Sequence, residues 1–227
     1  MEIVPGIHVI DGSIGCNSYI ISGEGLTLVD TGLRGNVPRI YGYLGRIGHE
    51  PEDIRRIVIT HAHLDHINCL HQLKQDTGAV VMASAGDADI IEGRQPLRVV
   101  GGLFGIIFRG LQAYYKYRPV PVDIRLNDGD CVPGMPGFTA VSLPGHSAGN
   151  MGLFSRERSV FFSSDSVRVS GDRPVGPGPR FTQDMEAAKA SVRRIGEIDF
   201  DVLLPGHGPA ITGRASAKVR SMYRETV

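Results

Sequence analysis

The sequence predicts a mixed α/β (α+β) fold, arranged as a four-layer αββα sandwich, on three observations. Short apolar stretches of strand length, separated by turns that contain glycine, recur along the 227 residues. Segments with apolar residues at helical spacing lie between these stretches. The second half of the chain resembles the first in kind, so we expect two β-rich halves with helices on their outer faces.

The first half begins with strands predicted at residues 7–10, 18–21 and 26–29. A helix is predicted next, because apolar residues recur at 37, 40, 44 and 47. An apolar strand follows and ends at Ile59. A helix over 65–75, closed by Thr77-Gly78, a strand at 79–83 and a helix at 85–92 complete the half.

The second half contains five predicted strands, at 124–126, 138–143, 151–154, 160–162 and 201–204. Thr182 is predicted to cap a helix, because Asp184 and Glu186 would lie in its first turn, where negative charge favours the helix dipole. A last helix is predicted over 215–224. The glycine- and proline-rich residues 171–180 are predicted to form a loop.

Charge and cysteine content exclude several classes of function. Lys+Arg and Asp+Glu number 24 each, so the chain lacks the basic surface that nucleic acids and acidic membranes require. Three widely spaced cysteines indicate a reduced protein without a disulfide framework or a cysteine zinc site. The N-terminal residues lack the pattern of a signal peptide. We therefore expect a cytoplasmic protein with no nucleic-acid partner and no stable membrane association.

The segment Thr60-His61-Ala62-His63-Leu64-Asp65-His66 carries the strongest chemical signal. Metal centres need neutral imidazoles and carboxylates directed at one point, and a loop that leaves a strand can direct them. His61 and His63 are two residues apart, so in extended backbone their side chains point to the same side of the chain. Asp65 and His66 would then open the following helix. The segment therefore predicts a metal centre with room for a second ion, and a turn of solvated histidines is the alternative.

Three further strands each end in one candidate ligand. His146 and His207 follow Pro-Gly pairs, and Asp165 follows Ser-Ser. Taken singly, such histidines are usually turn residues, and such an aspartate is often a helix cap. Together with the first segment, four strand ends offer five histidines and two aspartates. Asp30, before Thr31-Gly32, is either a turn former or a support behind a metal-binding loop.

These motifs resemble those of the metallo-β-lactamase superfamily, in the binuclear hydrolase branch that includes glyoxalase II. The His-x-His-x-Asp-His signature stands at 61–66, and a Pro-Gly-His element stands at 144–146. The resemblance implies one metallo-β-lactamase-like domain over 1–227 that binds two divalent metal ions, zinc first and iron or manganese as alternatives. It implies one ion on His61, His63 and His146, a second on Asp65, His66 and His207, a bridging Asp165, and Asp30 as the support behind the loop.

The resemblance also implies the chemistry, which is hydrolysis of a small acyl substrate by a metal-bridged hydroxide. Thioesters, as for glyoxalase II, and lactones are the expected substrates, with Asp65 as the catalytic carboxylate. Class B1 β-lactamases have cysteine where this chain has Asp165. Quorum-quenching lactonases have tyrosine three residues later, where this chain has Arg168. A mononuclear iron oxygenase of the persulfide dioxygenase type and a phosphodiesterase or nuclease-like enzyme are the alternatives.

Residues 94–121 are predicted to form a helical insert that serves as a lid, as a homodimer interface, or as both. The stretch at 99–108 is apolar but too short to span a membrane. Tyr114 and Tyr115 follow it and are candidate substrate contacts, together with Arg168.

Overall fold

The structure is a computed structural model that describes residues 1–97, 110 and 114–224. The chain divides into two compact units, Met1–Arg125 and Leu126–Val227. Within the described ranges, no helix has the length and apolar character needed to cross a membrane. Most of the predicted insert at 94–121 lies outside the described residues, so its role as lid or dimer interface and the single-domain assignment stay predictions.

The first unit is built on a seven-stranded sheet whose strands lie side by side in chain order. The strands are β1 Glu2–Val4, β2 Ile7–Val9, β3 Tyr19–Ile21, β4 Leu26–Val29, β5 Ile54–Ile59, β6 Val80–Ser84 and β7 Ile124–Leu126. Neighbours from β1 to β4 are antiparallel, whereas β4–β5 and β5–β6 are parallel. Parallel neighbours need crossover connections, and helices supply them here.

Four α-helices and one 3₁₀ turn of this unit are described over their whole length. The helices are Val37–Arg46, Leu64–Ile67, Leu70–Thr77 and Ala85–Ile91, and the 3₁₀ turn is Pro51–Asp53. In the first helix Val37, Ile40 and Leu44 are buried, as their helical spacing predicted, and pack in one core with Leu28 and Ile57 of the sheet. Each such side chain stabilises the fold by about 1.5–3 kcal/mol on burial.

The helix predicted over 65–75 is divided in two, so that prediction was wrong in extent. Leu64–Ile67 ends at Asn68, and the chain begins a second helix at Leu70. At the break, the backbone N–H of Arg34 donates to Asn68 Oδ1 at 2.9 Å. The thiol of Cys69 donates to the carbonyl of Leu33 at 3.0 Å. These contacts with a loop that is distant in the chain hold the break in place. The spacing of apolar residues within the helix could not predict them.

The second unit contains a five-stranded sheet in the order β14-β13-β10-β9-β8. Its strands are β8 Phe138–Ser142, β9 Met151–Ser155, β10 Val160–Ser164, β13 Val202–Pro205 and β14 Ile211–Thr212. A separate antiparallel pair consists of β11 Arg168–Ser170 and β12 Arg173–Val175. The parallel pair β10–β13 is connected through the helix Met185–Gly196, and a further helix spans Ala215–Arg224. Phe161 and Phe200 pack in the core with ring centroids 5.1 Å apart.

Two predictions for this unit were wrong. Thr182 is not the helix cap, because Asp184 takes that position and accepts a hydrogen bond from the Ala187 N–H at 3.0 Å. The predicted loop at 171–180 contains β12. The strands β1, β11, β12 and β14 were not predicted from the sequence.

Candidate metal centre

The first unit brings its four candidate ligands together where β5 ends. His61 and His66 are fully buried, and His63 and Asp65 are half-buried. The ring centroid of His61 lies 4.6 Å from that of His63 and 4.0 Å from that of His66. Asp65 Oδ2 lies 3.9 Å from His66 Nε2. His63 occupies the cap of the short helix in extended backbone, so the chain changes direction within the motif.

Asp30, at the end of β4, supports this loop from behind. Its Oδ1 accepts a hydrogen bond from the Thr60 N–H at 2.8 Å, and its Oδ2 accepts from the Thr60 hydroxyl at 2.7 Å. The same Oδ2 lies 2.8 Å from His66 Nδ1. The N–H and hydroxyl of Thr31 both donate to the carbonyl of His66, at 2.8 and 2.7 Å. Asp30 is thus a turn residue, with φ 57, and a support for His66 as well.

These hydrogen bonds set which ring nitrogen of each histidine carries the proton. The Thr60 hydroxyl gives its proton to Asp30, so its oxygen accepts from His61 Nδ1, which lies 3.2 Å away. His66 Nδ1 faces a carboxylate and must also donate. Both neutral rings therefore carry the lone pair on Nε2. Histidine metal ligands regularly have a second hydrogen-bond partner, which fixes the orientation and the tautomer of the ring.

The second unit brings its three candidates together in the same manner, each just after a strand. His146 Nε2 lies 3.3 Å from Asp165 Oδ2, and His207 Nε2 lies 3.2 Å from the same oxygen. His146 and Asp165 are buried, and His207 is half-buried. The carbonyl of His207 accepts a hydrogen bond from the Val169 N–H at 2.9 Å, which connects this histidine to β11.

Thr182, which sequence reasoning treated as a helix cap, instead lies against His146. Its hydroxyl donates to the carbonyl of Gly178 at 2.9 Å, so its oxygen accepts from His146 Nδ1 at 3.3 Å. In its neutral form the ring of His146 therefore has its lone pair on Nε2, the atom that faces the Asp165 carboxylate. Two acceptors at that distance favour a shared cation, and a set of imidazoles and carboxylates suits Zn²⁺ and related divalent ions.

Two glycines allow the ligand loops to approach neighbouring backbone. Gly145, with φ 124, precedes His146, and a Cβ there would lie 2.1 Å from the Ala188 backbone nitrogen. Gly208, with φ 92, follows His207, and a Cβ there would lie 1.8 Å from the carbonyl oxygen of Val169. Both positions exclude side chains, which explains why glycine flanks these histidines.

Two buried residues beside the ligands were missed from the sequence. Asp87 is fully buried, and its Oδ2 accepts a hydrogen bond from the Ala62 N–H at 2.8 Å, between the first two histidines of the motif. Asp87 follows the end of β6, so the strand-end rule applied to the other ligands could have found it. Cys16 has its sulfur within 4.8 Å of ligand atoms of Asp30 and His66, and burial raises the pKa of its thiol to about 12.

The candidate substrate contacts have partners of their own in the structure. The side chain of Tyr114 is 68% exposed, and its ring meets that of Tyr115 edge-on at 5.3 Å. The carbonyl of Tyr115 accepts a hydrogen bond from Asn68 Nδ2 at 3.2 Å. Arg168 donates through Nε and Nη2 to the carbonyl of Gly176, both at 3.1 Å. Their role in substrate binding stays a prediction.

Comparisons with known proteins agree with the fold and with the positions of the motifs. Residues 11–207 match the metallo-beta-lactamase superfamily. The probable metallo-hydrolase YflN of Bacillus subtilis is 22% identical, over 94% of this chain and 88% of the relative. The atrochrysone carboxyl ACP thioesterase of Aspergillus fumigatus is 29% identical, over 87% of this chain and 52% of that protein.

A solved structure has the same fold. The metallo-beta-lactamase family protein TTHA1429 of Thermus thermophilus superimposes with a TM-score of 0.76 at 19% identity, covering 99% of this chain and 80% of that one. The predicted fold class is confirmed by this likeness. The match over residues 11–207 spans most of the chain and includes both sets of candidate ligands. The chain therefore belongs to the metallo-β-lactamase superfamily of metallo-hydrolases.

Proposed function

We propose that this protein is a binuclear metallohydrolase that cleaves a small acyl substrate, with a thioester as the first choice and a lactone as the second. The proposed ligands are the seven side chains grouped above. One ion would be held by His61, His63 and His146, the other by Asp65, His66 and His207, and Asp165 would be a ligand to both. Zinc is the first choice of metal, with iron and manganese as alternatives.

The observation that carries this proposal is the oxygen that lies against Nδ1 of each buried imidazole. His61, His66 and His146 each direct Nδ1 at an oxygen that can accept its proton. Any buried histidine needs an acceptor for its N–H. Here all three acceptors lie against the same nitrogen, Nδ1, so the neutral rings carry on Nε2 the lone pair that a metal ion needs.

The substrate class is supported by chemistry and by similarity to a thioesterase. The relative named as an acyl-carrier-protein thioesterase is 29% identical to this chain, although the match covers only 52% of its length. Thioesters and lactones share a carbonyl carbon that water can attack and a leaving group that departs as a thiol or an alcohol. The balanced reaction adds water across the C–S or C–O bond and yields a carboxylic acid and that thiol or alcohol.

When bound, the metal ions would supply a water of lowered pKa as the nucleophile and would polarise the substrate carbonyl. The side chains around the ions would supply the proton transfer and the orientation. Asp65, with a side chain 29% exposed, would accept a hydrogen bond from the attacking water and take its proton on a carboxylate oxygen. Asp30 and Thr60 hold the buried rings in one orientation, so little reorganisation is needed on substrate binding.

Substrate contacts and location belong to the same proposal. Tyr114 offers an exposed ring for an acyl chain, and Arg168 would act by holding the loop at Gly176. Three free cysteines, at 16, 69 and 131, support a reducing cytoplasmic setting. A homodimer through 94–121 belongs to the same proposal.

Metal analysis combined with a panel of substrates tests the function. We expect two divalent ions per chain and hydrolysis of thioesters or lactones, with slower or no turnover of β-lactams and phosphodiesters. His63→Ala and Asp165→Asn should abolish turnover and leave a folded protein by circular dichroism. His49→Ala is the matched control, because His49 pairs with Asp53 at 2.8 Å away from the ligands.

Other outcomes would point elsewhere. One iron per chain with oxygen consumption would favour the oxygenase alternative, and cleavage of phosphodiesters would favour the nuclease-like alternative. Full hydrolytic activity in either His63→Ala or Asp165→Asn would refute the assignment of the site.

A further inference from the structure

One buried amide, that of Asn150, lies among the loops that carry the second unit's ligands. Asn150 is 1% exposed and directly precedes β9. Its Nδ2 donates to the carbonyl of Leu143 at 3.0 Å and to the Ser166 hydroxyl at 2.8 Å. Its Oδ1 accepts from the Ser164 hydroxyl at 2.7 Å. Both amide hydrogens and the amide oxygen are therefore bonded inside the protein.

The partners of Asn150 show what it holds. Ser164 and Ser166 are the two chain neighbours of Asp165, so one amide is bonded to both sides of that carboxylate. Leu143 leads into the Pro-Gly-His segment, and its N–H also donates to the carbonyl of Asn150 at 2.9 Å. A single side chain thus connects the loop of His146 to the loop of Asp165.

The backbone at Ser164 adds a reason for this connection. Ser164 has φ 50, in the left-handed region that residues with a Cβ rarely adopt. Two bonds hold it there, the one from its hydroxyl to Asn150 and one from the Gly206 N–H to its carbonyl at 2.8 Å. This turn ends β10 and sets the direction of the next side chain, that of Asp165.

We propose that Asn150 is a positioning residue for the metal centre. By fixing both neighbours of Asp165, it holds Oδ2 of that residue 3.3 Å from His146 Nε2 and 3.2 Å from His207 Nε2. Asn150 acts through Asp165 and does not contact substrate. The proposal rests on the proposed function, in which Asp165 is the shared ligand. A carboxylate free to rotate would bind the metal ions with a range of geometries and lower affinity.

The test compares Asn150→Ala and Ser164→Ala with Ser155→Ala as the matched control. Ser155 is a buried serine at the far end of β9, and its hydroxyl accepts from the Arg158 N–H at 3.3 Å, in a turn away from the ligands. The affinity for Zn²⁺ is measured by competition with a chromophoric chelator. Melting of the metal-free protein, kcat and KM are measured in parallel.

We expect Asn150→Ala to weaken Zn²⁺ binding by about 10–100-fold, the usual effect of losing a group that orients a ligand. It should lower kcat more than it changes KM. Ser164→Ala should act in the same direction by a smaller factor, because it removes one of the three bonds. Ser155→Ala should keep the wild-type affinity.

Failure of this inference can be distinguished from failure of the proposed function. A folded Asn150→Ala protein with wild-type Zn²⁺ affinity overturns the proposal, even if its metal-free form melts at a lower temperature, because that pattern is purely structural. If Asn150→Ala does not fold, unchanged Zn²⁺ affinity in Ser164→Ala overturns it. Failure of the wild-type protein to bind metal would instead refute the proposed function on which this inference rests.

Discussion

The Nδ1 atom of His66 lies 2.8 Å from Oδ2 of Asp30, and both side chains are buried. The same carboxylate accepts both hydrogen bonds that Thr60 donates at the end of β5. One side chain from the β4 turn therefore connects the residue before the histidine motif with the last residue of that motif. The candidate ligands are held in place by hydrogen bonds to Asp30 as well as by the strand that precedes them.

Asp30→Asn should weaken metal binding without removing a ligand. The amide nitrogen of the variant would face His66 Nδ1, donor against donor, and would favour the tautomer with the proton on Nε2. We expect Zn²⁺ affinity to fall by about 10–100-fold, measured by chelator competition. Asp53→Asn is the matched control, since Asp53 also pairs with a histidine Nδ1 at 2.8 Å but lies away from the ligands. Equal effects of the two substitutions would contradict this account.

Thr182→Val should weaken metal binding that involves His146, whereas Thr182→Ser should not. Valine keeps the shape of threonine but offers no oxygen to His146 Nδ1, which now lies 3.3 Å from the hydroxyl. Serine keeps that oxygen. We expect the valine variant to bind Zn²⁺ about tenfold more weakly and the serine variant to be close to wild type, by the same titration. A serine variant as weak as the valine variant would show that packing of the methyl group matters instead.

The candidate ligands and the support at Asp30 were predicted from the sequence, whereas Thr182 and Asp87 were not predicted in their supporting roles. A candidate ligand such as His146 or Asp165 can be recognised because it follows an apolar strand, and the ends of strands in one sheet meet at an edge. The partners of these ligands are distant in the chain: Thr182 bonds a residue 36 positions away, and Asp87 bonds one 25 positions away. Their local sequence favours other roles, as with the helix cap expected at Thr182.

Asp87→Ala should destabilise the loop of the first two histidines. The carboxylate accepts the Ala62 N–H at 2.8 Å inside a buried site, and its loss would leave that N–H buried without this acceptor. The expected cost is about 1–3 kcal/mol in the free energy of unfolding, measured with urea, together with weaker Zn²⁺ binding. Asp89→Ala, on the exposed side of the same helix, removes ion pairs with Arg94 and Arg125 and should cost less than about 1 kcal/mol. A larger loss in Asp89→Ala would overturn the assignment of Asp87.

Removal of the metal ions should lower the stability of the protein in a pH-dependent manner. Only neutral imidazoles and ionised carboxylates bind divalent ions, so binding competes with protons. The stabilisation that Zn²⁺ adds should be present above the ordinary histidine pKa of about 6.5 and should be lost as the pH falls below it. Melting temperatures of metal-loaded and chelator-treated protein, measured from about pH 8 down to about pH 5, test this expectation. The two curves should differ most at the alkaline end and converge at the acidic end. A difference that is constant across that range would mean that the bound ions are not held by histidines.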